Sequence, residues 1–294
     1  MVLLGDALEQ LRTLEGESVY TCVTSPPYYN LRDYGIHGQI GMEDTPSEYI
    51  SHLVRVFREV RRVLRPDGTL WLNIGDSYAT KAWRTLEGCK KKDLLGIPWM
   101  LAFALRADGW YLRQDIIWQK PDAMPESVKD RCTKSHEYIF LLSKSEKYYF
   151  DADAIREPFT GKPRKGERRS YKAGAASSFD MAEGHLEQRG NFAGLPLNPK
   201  GRNKRDVWTV STSGFHGAHF AAFPEKLVEP CVLAGCPEGG IVLDPFTGSG
   251  TTGAVAKRLR RGFIGVEVNA QYWELAQKRI STTEMAYEQL TMHG

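Results

Sequence analysis

The sequence predicts a doubly wound α/β fold with a mostly parallel sheet, interrupted late in the chain by a loop-rich basic insert. Two observations predict the fold. Short apolar, β-branched runs alternate with segments whose apolar residues recur every three or four positions. Such alternation builds parallel strands joined by right-handed helical crossovers. The insert is predicted by a change of composition over residues 160–213, where Gly, Pro, Ser and basic residues replace any apolar period.

Each element has its own signal. Val19–Thr24 (VYTCVT) reads as a buried strand that stops at Ser25-Pro26-Pro27. Pro46 opens a helix whose apolar positions Tyr49, Leu53, Val56, Phe57, Val60 and Leu64 share one face, and Pro66-Asp67-Gly68 closes it. Residues 69–74 make a strand and 97–105 a helix. Residues 109–119 and 137–150 are strand-rich and pair as a long antiparallel ribbon. Beyond the insert come a helix at 223–233, a strand at 241–246, a helix at 250–259, a strand at 263–268 and a closing helix at 271–280. The chain thus divides into a first domain part (1–159), the insert (160–213) and a second domain part (214–294).

Composition narrows the class. With 294 residues, 41% hydrophobic and 26% charged, the chain suits one large globular domain carrying a module. No apolar run reaches the roughly 18 residues of a membrane span, and the N-terminus lacks a signal-peptide pattern. We therefore expect a cytoplasmic protein of a prokaryotic or phage-infected cell, without membrane contact. Five cysteines, Cys22, Cys89, Cys132, Cys231 and Cys236, form no CxxC pair, which argues against a disulfide framework and against a metal site. Net charge is +3, but residues 151–214 carry 12 Lys/Arg against 8 Asp/Glu and leave −1 for the remainder. That distribution suits a module that meets a polyanion, although a solvated basic loop would show it too.

The first chemical signal is Asp244-Pro245-Phe246-Thr247-Gly248-Ser249-Gly250-Thr251-Thr252-Gly253, which follows a strand and opens a helix. Gly248, Gly250 and Gly253 fit G-x-G-x-x-G, where glycines permit a sharp turn and close approach of a ligand. A P-loop needs Lys and Ser/Thr after the last glycine, and Ala254 and Val255 exclude it. A dinucleotide site remains open, because Glu267 ends the next strand and suits ribose hydroxyls. The Asp244 carboxylate would instead repel a pyrophosphate and attract a cationic ligand such as the ammonium of S-adenosylmethionine.

The second signal is Thr24-Ser25-Pro26-Pro27-Tyr28 after the buried strand. Two prolines fix the backbone and leave rigid carbonyl acceptors. A Ser hydroxyl with a proline carbonyl can accept both hydrogens of an amino group, and Tyr28 offers a face for stacking.

With these motifs the chain closely resembles the amino-methyltransferases of DNA, in the order that puts the catalytic loop before the cofactor loop. The resemblance also covers Gly5-Asp6-Ala7-Leu8, Leu31-Arg32-Asp33-Tyr34, Trp118-Gln119-Lys120-Pro121, Ser135-His136-Glu137, Arg205-Asp206-Val207-Trp208 and the stretch from His219 to Pro224. It implies a seven-stranded, Rossmann-like methyltransferase sheet and S-adenosylmethionine as cofactor. It implies that Asp6 binds the adenine amino group and that Phe223 and Pro224 pack near the methionine end. Asp244, Pro245, Phe246, Gly248, Ser249, Gly250, Thr251 and Thr252 would cradle the methionine part, and Glu267 the ribose. Ser25, Pro26, Pro27 and Tyr28 would hold the target base. Relatives acting on adenine N6 usually carry Asp at position 25, whereas Ser is typical of cytosine N4 enzymes, so cytosine is the expected target.

A duplex base must be extruded before its amino group can react, and stacking on Tyr28 offsets part of that cost. Arg164, Lys165, Arg168, Arg169, Lys172, Arg202, Lys204 and Arg205 are the expected phosphate contacts in double-stranded DNA, within a target-recognition region. His136 and His219 read as structural. A monomer or homodimer with a cognate restriction endonuclease is expected. Three other classes stay in view: an RNA or protein amide methyltransferase, a DNA-binding protein with a decayed site, and an NAD oxidoreductase.

Overall fold

The computed structural model describes residues 1–31, 35, 39–79, 88–158, 198–212 and 224–284. Within them lies one sheet of eight strands in the order β1-β8-β7-β2-β3-β5-β4-β6. The strands are β1 (Val2–Leu4), β2 (Val19–Thr24), β3 (Leu64–Ile74), β4 (Tyr111–Gln119), β5 (His136–Ser143), β6 (Val207–Thr209), β7 (Ile241–Asp244) and β8 (Gly262–Glu267). The helices are α1 (Ala7–Thr13), α2 (Pro46–Val63), α3 (Ile97–Ala107), α4 (Glu225–Gly235), α5 (Thr251–Arg258) and α6 (Ala270–Thr282). Strands β1, β8, β7, β2 and β3 run parallel, and β5 alone opposes its neighbours β3 and β4. The expected doubly wound, mostly parallel architecture is present, with one strand more than the seven expected.

Side-chain alternation puts a core on each face. Cys22, Leu70 and Leu72 pack with α1, α2 and α3. Val23, Trp71 and Val242 point the other way, towards α4 and α5. Central strands covered on both faces read as continuous apolar runs, which is why β2 is visible in the sequence. Helix α2 starts on a capping box: the Thr45 hydroxyl accepts from the Glu48 amide at 3.2 Å, and the Glu48 carboxylate accepts from the Thr45 amide at 3.3 Å. It ends at Val63, earlier than the expected Pro66-Asp67-Gly68 stop. Those three residues instead fall in an irregularity of β3, between the pairs Val19–Leu64 and Thr21–Thr69. The predicted ribbon is the β4–β5 pair.

Two regions differ from expectation. Strand β1 and helix α1 have no periodicity to announce them, being three and seven residues long. The edge of β1 is closed by the Trp273 indole, which donates to the Val2 carbonyl at 2.9 Å. The end of the stretch read as an insert contributes β6, parallel to β4 at the sheet's other edge. Trp208 of β6 is 5% exposed, packs tilted against Trp71 at 6.4 Å and donates its indole N–H to the Arg205 carbonyl. A three-residue strand among basic residues carries too little pattern to be read. No described helix is long and apolar enough to cross a membrane.

Trp208 anchors that edge, so Trp208→Ala is expected to cost about 3–5 kcal/mol of unfolding free energy. Urea denaturation of both proteins measures it; a loss below about 1 kcal/mol would show that β6 contributes little to the fold.

Candidate active site

Parallel strands present their carboxyl ends at one edge of the sheet, and open α/β sheets bind ligands there. Across β1, β8, β7 and β2 that edge carries, in spatial order, Asp6, Glu267, Asp244 and the Thr24–Tyr28 loop. Asp6 follows β1 and caps α1, accepting from the Glu9 amide at 3.0 Å. Glu267 ends β8 and accepts from the amides of Gly248 at 2.8 Å and Asn269 at 2.9 Å. Burial outweighs these bonds and raises its pKa.

Asp244 is fully enclosed. Its Oδ1 accepts from the Thr24 hydroxyl at 2.6 Å and the Phe246 amide at 3.1 Å, and its Oδ2 accepts from the Thr252 hydroxyl at 2.7 Å. Burial pushes its pKa up to about 6 against the pull of those three donors. One carboxylate thus joins the end of β2, the turn after β7 and the first turn of α5.

The three glycines of the turn have different physical reasons. Gly248 has φ +53° and a Cβ there would meet nothing within 4 Å, so the turn faces open space at this point. Gly250 has φ +84° and lies against Ala276 of α6, where a Cβ would come within 3.0 Å. Gly253 packs on Ile280 and Phe263, at 2.4 and 2.7 Å from a Cβ built there. Only the first glycine borders free volume. Ser249 and Thr251 are held from α6 by Arg279, which donates to their hydroxyls at 3.2 and 3.0 Å. Arg279 also pairs with Glu225 of α4, which pairs with Arg258 of α5. Pro245 is buried, and the Phe246 ring meets Phe57 edge-on at 6.5 Å. Pro224 caps α4.

The Thr24–Tyr28 loop is fixed from several strands. The Pro27 carbonyl accepts from the Tyr49 hydroxyl of α2 at 2.8 Å. The Tyr28 ring lies on Gly75, where a Cβ would sit 2.7 Å from its edge. The Tyr28 hydroxyl donates to Glu137 Oε2 at 2.6 Å, and the Asn73 amide nitrogen donates to that hydroxyl at 2.5 Å, to Glu137 at 3.0 Å and to Ser25 Oγ at 3.3 Å. Lys120 pairs with the other Glu137 oxygen. Burial, with the adjacent Glu137 charge, holds the Tyr28 phenol well above its ordinary pKa. His136 packs its ring edge-on to Tyr138 at 5.4 Å.

Sequence reading quoted Thr24, Lys120 and Glu137 within motifs without giving them a role at this edge, and it missed Asn73, Arg279 and Glu225. Asn73 had a signal, a lone amide within the apolar run TLWLNI. Among the expected phosphate contacts, Arg202, Lys204 and Arg205 converge on Glu157 at 3.2, 3.9 and 3.0 Å. Arg164, Lys165, Arg168, Arg169 and Lys172 lie outside the described residues, as do Phe223 and His219.

The chain is similar to known proteins in sequence and in fold. The profile of the N6/N4 DNA methylase family matches residues 19–278. The chain is 48% identical to the Type II methyltransferase M.SmaI of Serratia marcescens, over 95% of this chain and 90% of that protein. It is 46% identical to M.Cfr9I of Citrobacter freundii, over 94% and 86%. Among solved structures, the PvuII DNA methyltransferase, named as cytosine-N4-specific, superposes with a TM-score of 0.66 over 97% of this chain and 87% of that one, at 21% identity. A DNA modification methylase of Thermus thermophilus, TTHA0409, solved in complex with S-adenosyl-L-methionine, gives 0.60 over 95% and 94%, at 26% identity. A profile spanning most of the sequence, and close relatives matched nearly end to end, place this chain in the N6/N4 DNA methylase family.

Proposed function

We propose that this DNA methyltransferase modifies the exocyclic amino group of an extruded base in double-stranded DNA, and that the base is cytosine, at N4. The observation that carries the reading is Ser25, a neutral hydroxyl beside the two-proline turn, one residue from the Thr24–Asp244 bond that ties this turn to the glycine loop. The named fold neighbour is too distant in sequence to assign the base, so the assignment rests on this residue.

The methyl donor is S-adenosylmethionine, which supplies an electrophilic methyl group. The crevice fits it. Free space borders Gly248, and the carboxylates of Asp6, Glu267 and Asp244 stand on consecutive strand ends. We assign Asp6 to the adenine amino group, Glu267 to the ribose hydroxyls, and Pro245, Phe246, Gly248 to Thr252, Phe223 and Pro224 to the methionine end. Asp244 has its oxygens engaged by the protein, so its part is to hold the turn and to lend the crevice negative charge.

The target amino nitrogen is conjugated with its ring and is a weak nucleophile. Ser25 Oγ and the Pro26 carbonyl orient it and favour the positive charge that develops during attack. Ser25 can also donate to the cytosine N3, which a carboxylate at this position cannot do. Gly75 lets the edge of the Tyr28 ring approach the backbone closely, and the face of that ring is the stacking surface for the base. An adenine N6 product remains compatible with the same loop, because an amino group of either base meets the same acceptors. The basic residues 164–172, with Arg202, Lys204 and Arg205, are the proposed phosphate contacts and residues 160–213 the target-recognition region. Like its named relatives, the protein would serve a cytoplasmic restriction–modification system, as a monomer or homodimer beside a cognate endonuclease.

Nucleoside digestion and mass spectrometry of treated DNA should yield N4-methylcytosine; N6-methyladenine alone would overturn the base assignment. Tyr28→Ala should slow turnover about tenfold or more, in line with about 1–3 kcal/mol for a base–aromatic stack, while S-adenosylmethionine still binds.

A second test addresses Asp244. Because burial raises its folded pKa to about 6, the stability it contributes is complete below the unfolded value near 3.8 and is lost as pH rises through about 6. Asp244→Asn should remove that dependence. The amide oxygen keeps Thr24 and Phe246, and its nitrogen can donate to Thr252, whose proton turns to the Val23 carbonyl at 3.3 Å. Unfolding measured from pH 4 to 8 should show the variant matching or exceeding wild type above pH 6. Calorimetry should show cofactor affinity about tenfold lower, as expected for about 1–2 kcal/mol of lost charge attraction. Unchanged affinity would remove the Asp244 charge from the cofactor site.

A further inference from the structure

We infer that Glu137, held by Lys120, is a positioning residue for the base-binding loop and sets the direction in which the Ser25 hydroxyl points. This inference rests on the assignment of residues 24–28 to the base.

The geometry leaves few alternatives for the protons. Glu137 presents two oxygens to two different sides. Oε1 faces the ammonium of Lys120, the residue after β4, which also lies 4.3 Å over the Trp118 ring. Oε2 faces the Tyr28 hydroxyl at 2.6 Å and the Asn73 amide nitrogen at 3.0 Å. A carboxylate only accepts, so the Tyr28 proton points at Glu137 and the Asn73 side chain turns its nitrogen the same way. That nitrogen reaches Ser25 Oγ at 3.3 Å, and the Ser25 oxygen therefore acts as acceptor towards the protein. In the free protein the Ser25 hydroxyl donates to the Tyr28 oxygen at 3.4 Å, a long and weak bond to an oxygen that Asn73 already serves at 2.5 Å. A ring nitrogen of the base, at ordinary hydrogen-bond distance, would draw the Ser25 proton from that bond. A neutral amide in place of Glu137 has one acceptor oxygen for two sides, so either this order or the Lys120 contact is lost.

The side chains involved are only partly open to solvent, 13% for Glu137 and 20% for Lys120, and they come from β3, β5 and the residue directly after β4. Rigid strands give a fixed geometry where a loop alone would not. Titratable groups facing Tyr28 are Glu137 on β5 and Tyr49 on α2, with Lys120 and Lys134 around Glu137. None of these residues bonds to the glycine turn, so an effect confined to the base is expected.

The test uses Glu137→Gln. An amide can accept from Tyr28 and Asn73 or from Lys120, but it cannot serve both sides. On unmethylated DNA, turnover should fall about tenfold to a hundredfold, as for a reacting group displaced by a fraction of an ångström. S-adenosylmethionine affinity should stay within about twofold of wild type. In the free enzyme, the Tyr28 phenol, isolated by subtracting a Tyr28→Phe spectrum, should ionise at lower pH once the Glu137 charge is gone. Glu137→Gln added to Tyr28→Phe should cost little beyond the larger single loss, because both act through one hydroxyl. Lys120→Met supplies an independent variant should Glu137→Gln unfold, and it should lower turnover with the same cofactor affinity. Additive losses, an unmoved phenol titration or a parallel drop in cofactor affinity would overturn the inference. An adenine product with these effects intact would overturn only the cytosine assignment.

Discussion

A carboxylate buried without a cationic partner is costly, and it persists only where hydrogen bonds compensate for the lost water. At Asp244 the compensation comes from Thr24, Thr252 and the Phe246 amide, three groups on three different elements. The same bonds that make the charge tolerable bring the Thr24–Tyr28 turn and the glycine turn into register. Displacing either turn would strand the carboxylate, so the spacing between the two turns is enforced by desolvation. The ion pairs behind the turn act in the same sense: Arg279, Glu225 and Arg258 connect α6, α4 and α5 around the glycine loop.

The two halves of the sheet divide the labour. The parallel half, β1-β8-β7-β2, supplies acids at strand ends and a helix start, as cofactor crevices in such sheets do. The half beyond β3 contains the antiparallel β5, which sends its N-terminal residues to the same edge where its neighbours end. Glu137, the second residue of β5, reaches Tyr28 for that reason. A fully parallel sheet would place a residue at the start of a strand at the opposite edge, so the reversal of β5 has a direct chemical use.

What could be read from the sequence follows from how each signal is carried. Strand β2, helix α2 and the glycine turn are announced by local patterns, namely an apolar run, an apolar stripe opened by Pro46, and G-x-G-x-x-G. Ser25 and Tyr28 are recognisable because two prolines lie between them. Thr24 and Asp244 are 220 residues apart, and no local pattern says that they share a hydrogen bond. Lys120 and Glu137 sit within quoted motifs, but their pairing depends on strand register. Gly250 and Gly253 satisfy a ligand-binding pattern although their geometry serves packing against α6 and β8. Trp208 falls within a segment that reads as loop-rich, because one buried indole in a three-residue strand has no period.

The sheet order has a consequence for the chain itself. Strands β2 and β7, which carry the two turns, are paired neighbours, but the segment between them in the sequence is most of the protein. Their alignment is made sideways, through backbone ladders and Asp244, and owes nothing to covalent connection. At the far edge, β1 and α6, the first and last elements described, touch through Trp273 and Val2, and the Met1 amine donates to Phe263 of β8. A chain cut between the two turns and rejoined across β1 and α6 would traverse the same strands in a rotated order. The linear sequence of motifs is therefore a matter of where the thread begins, and the crevice is indifferent to it.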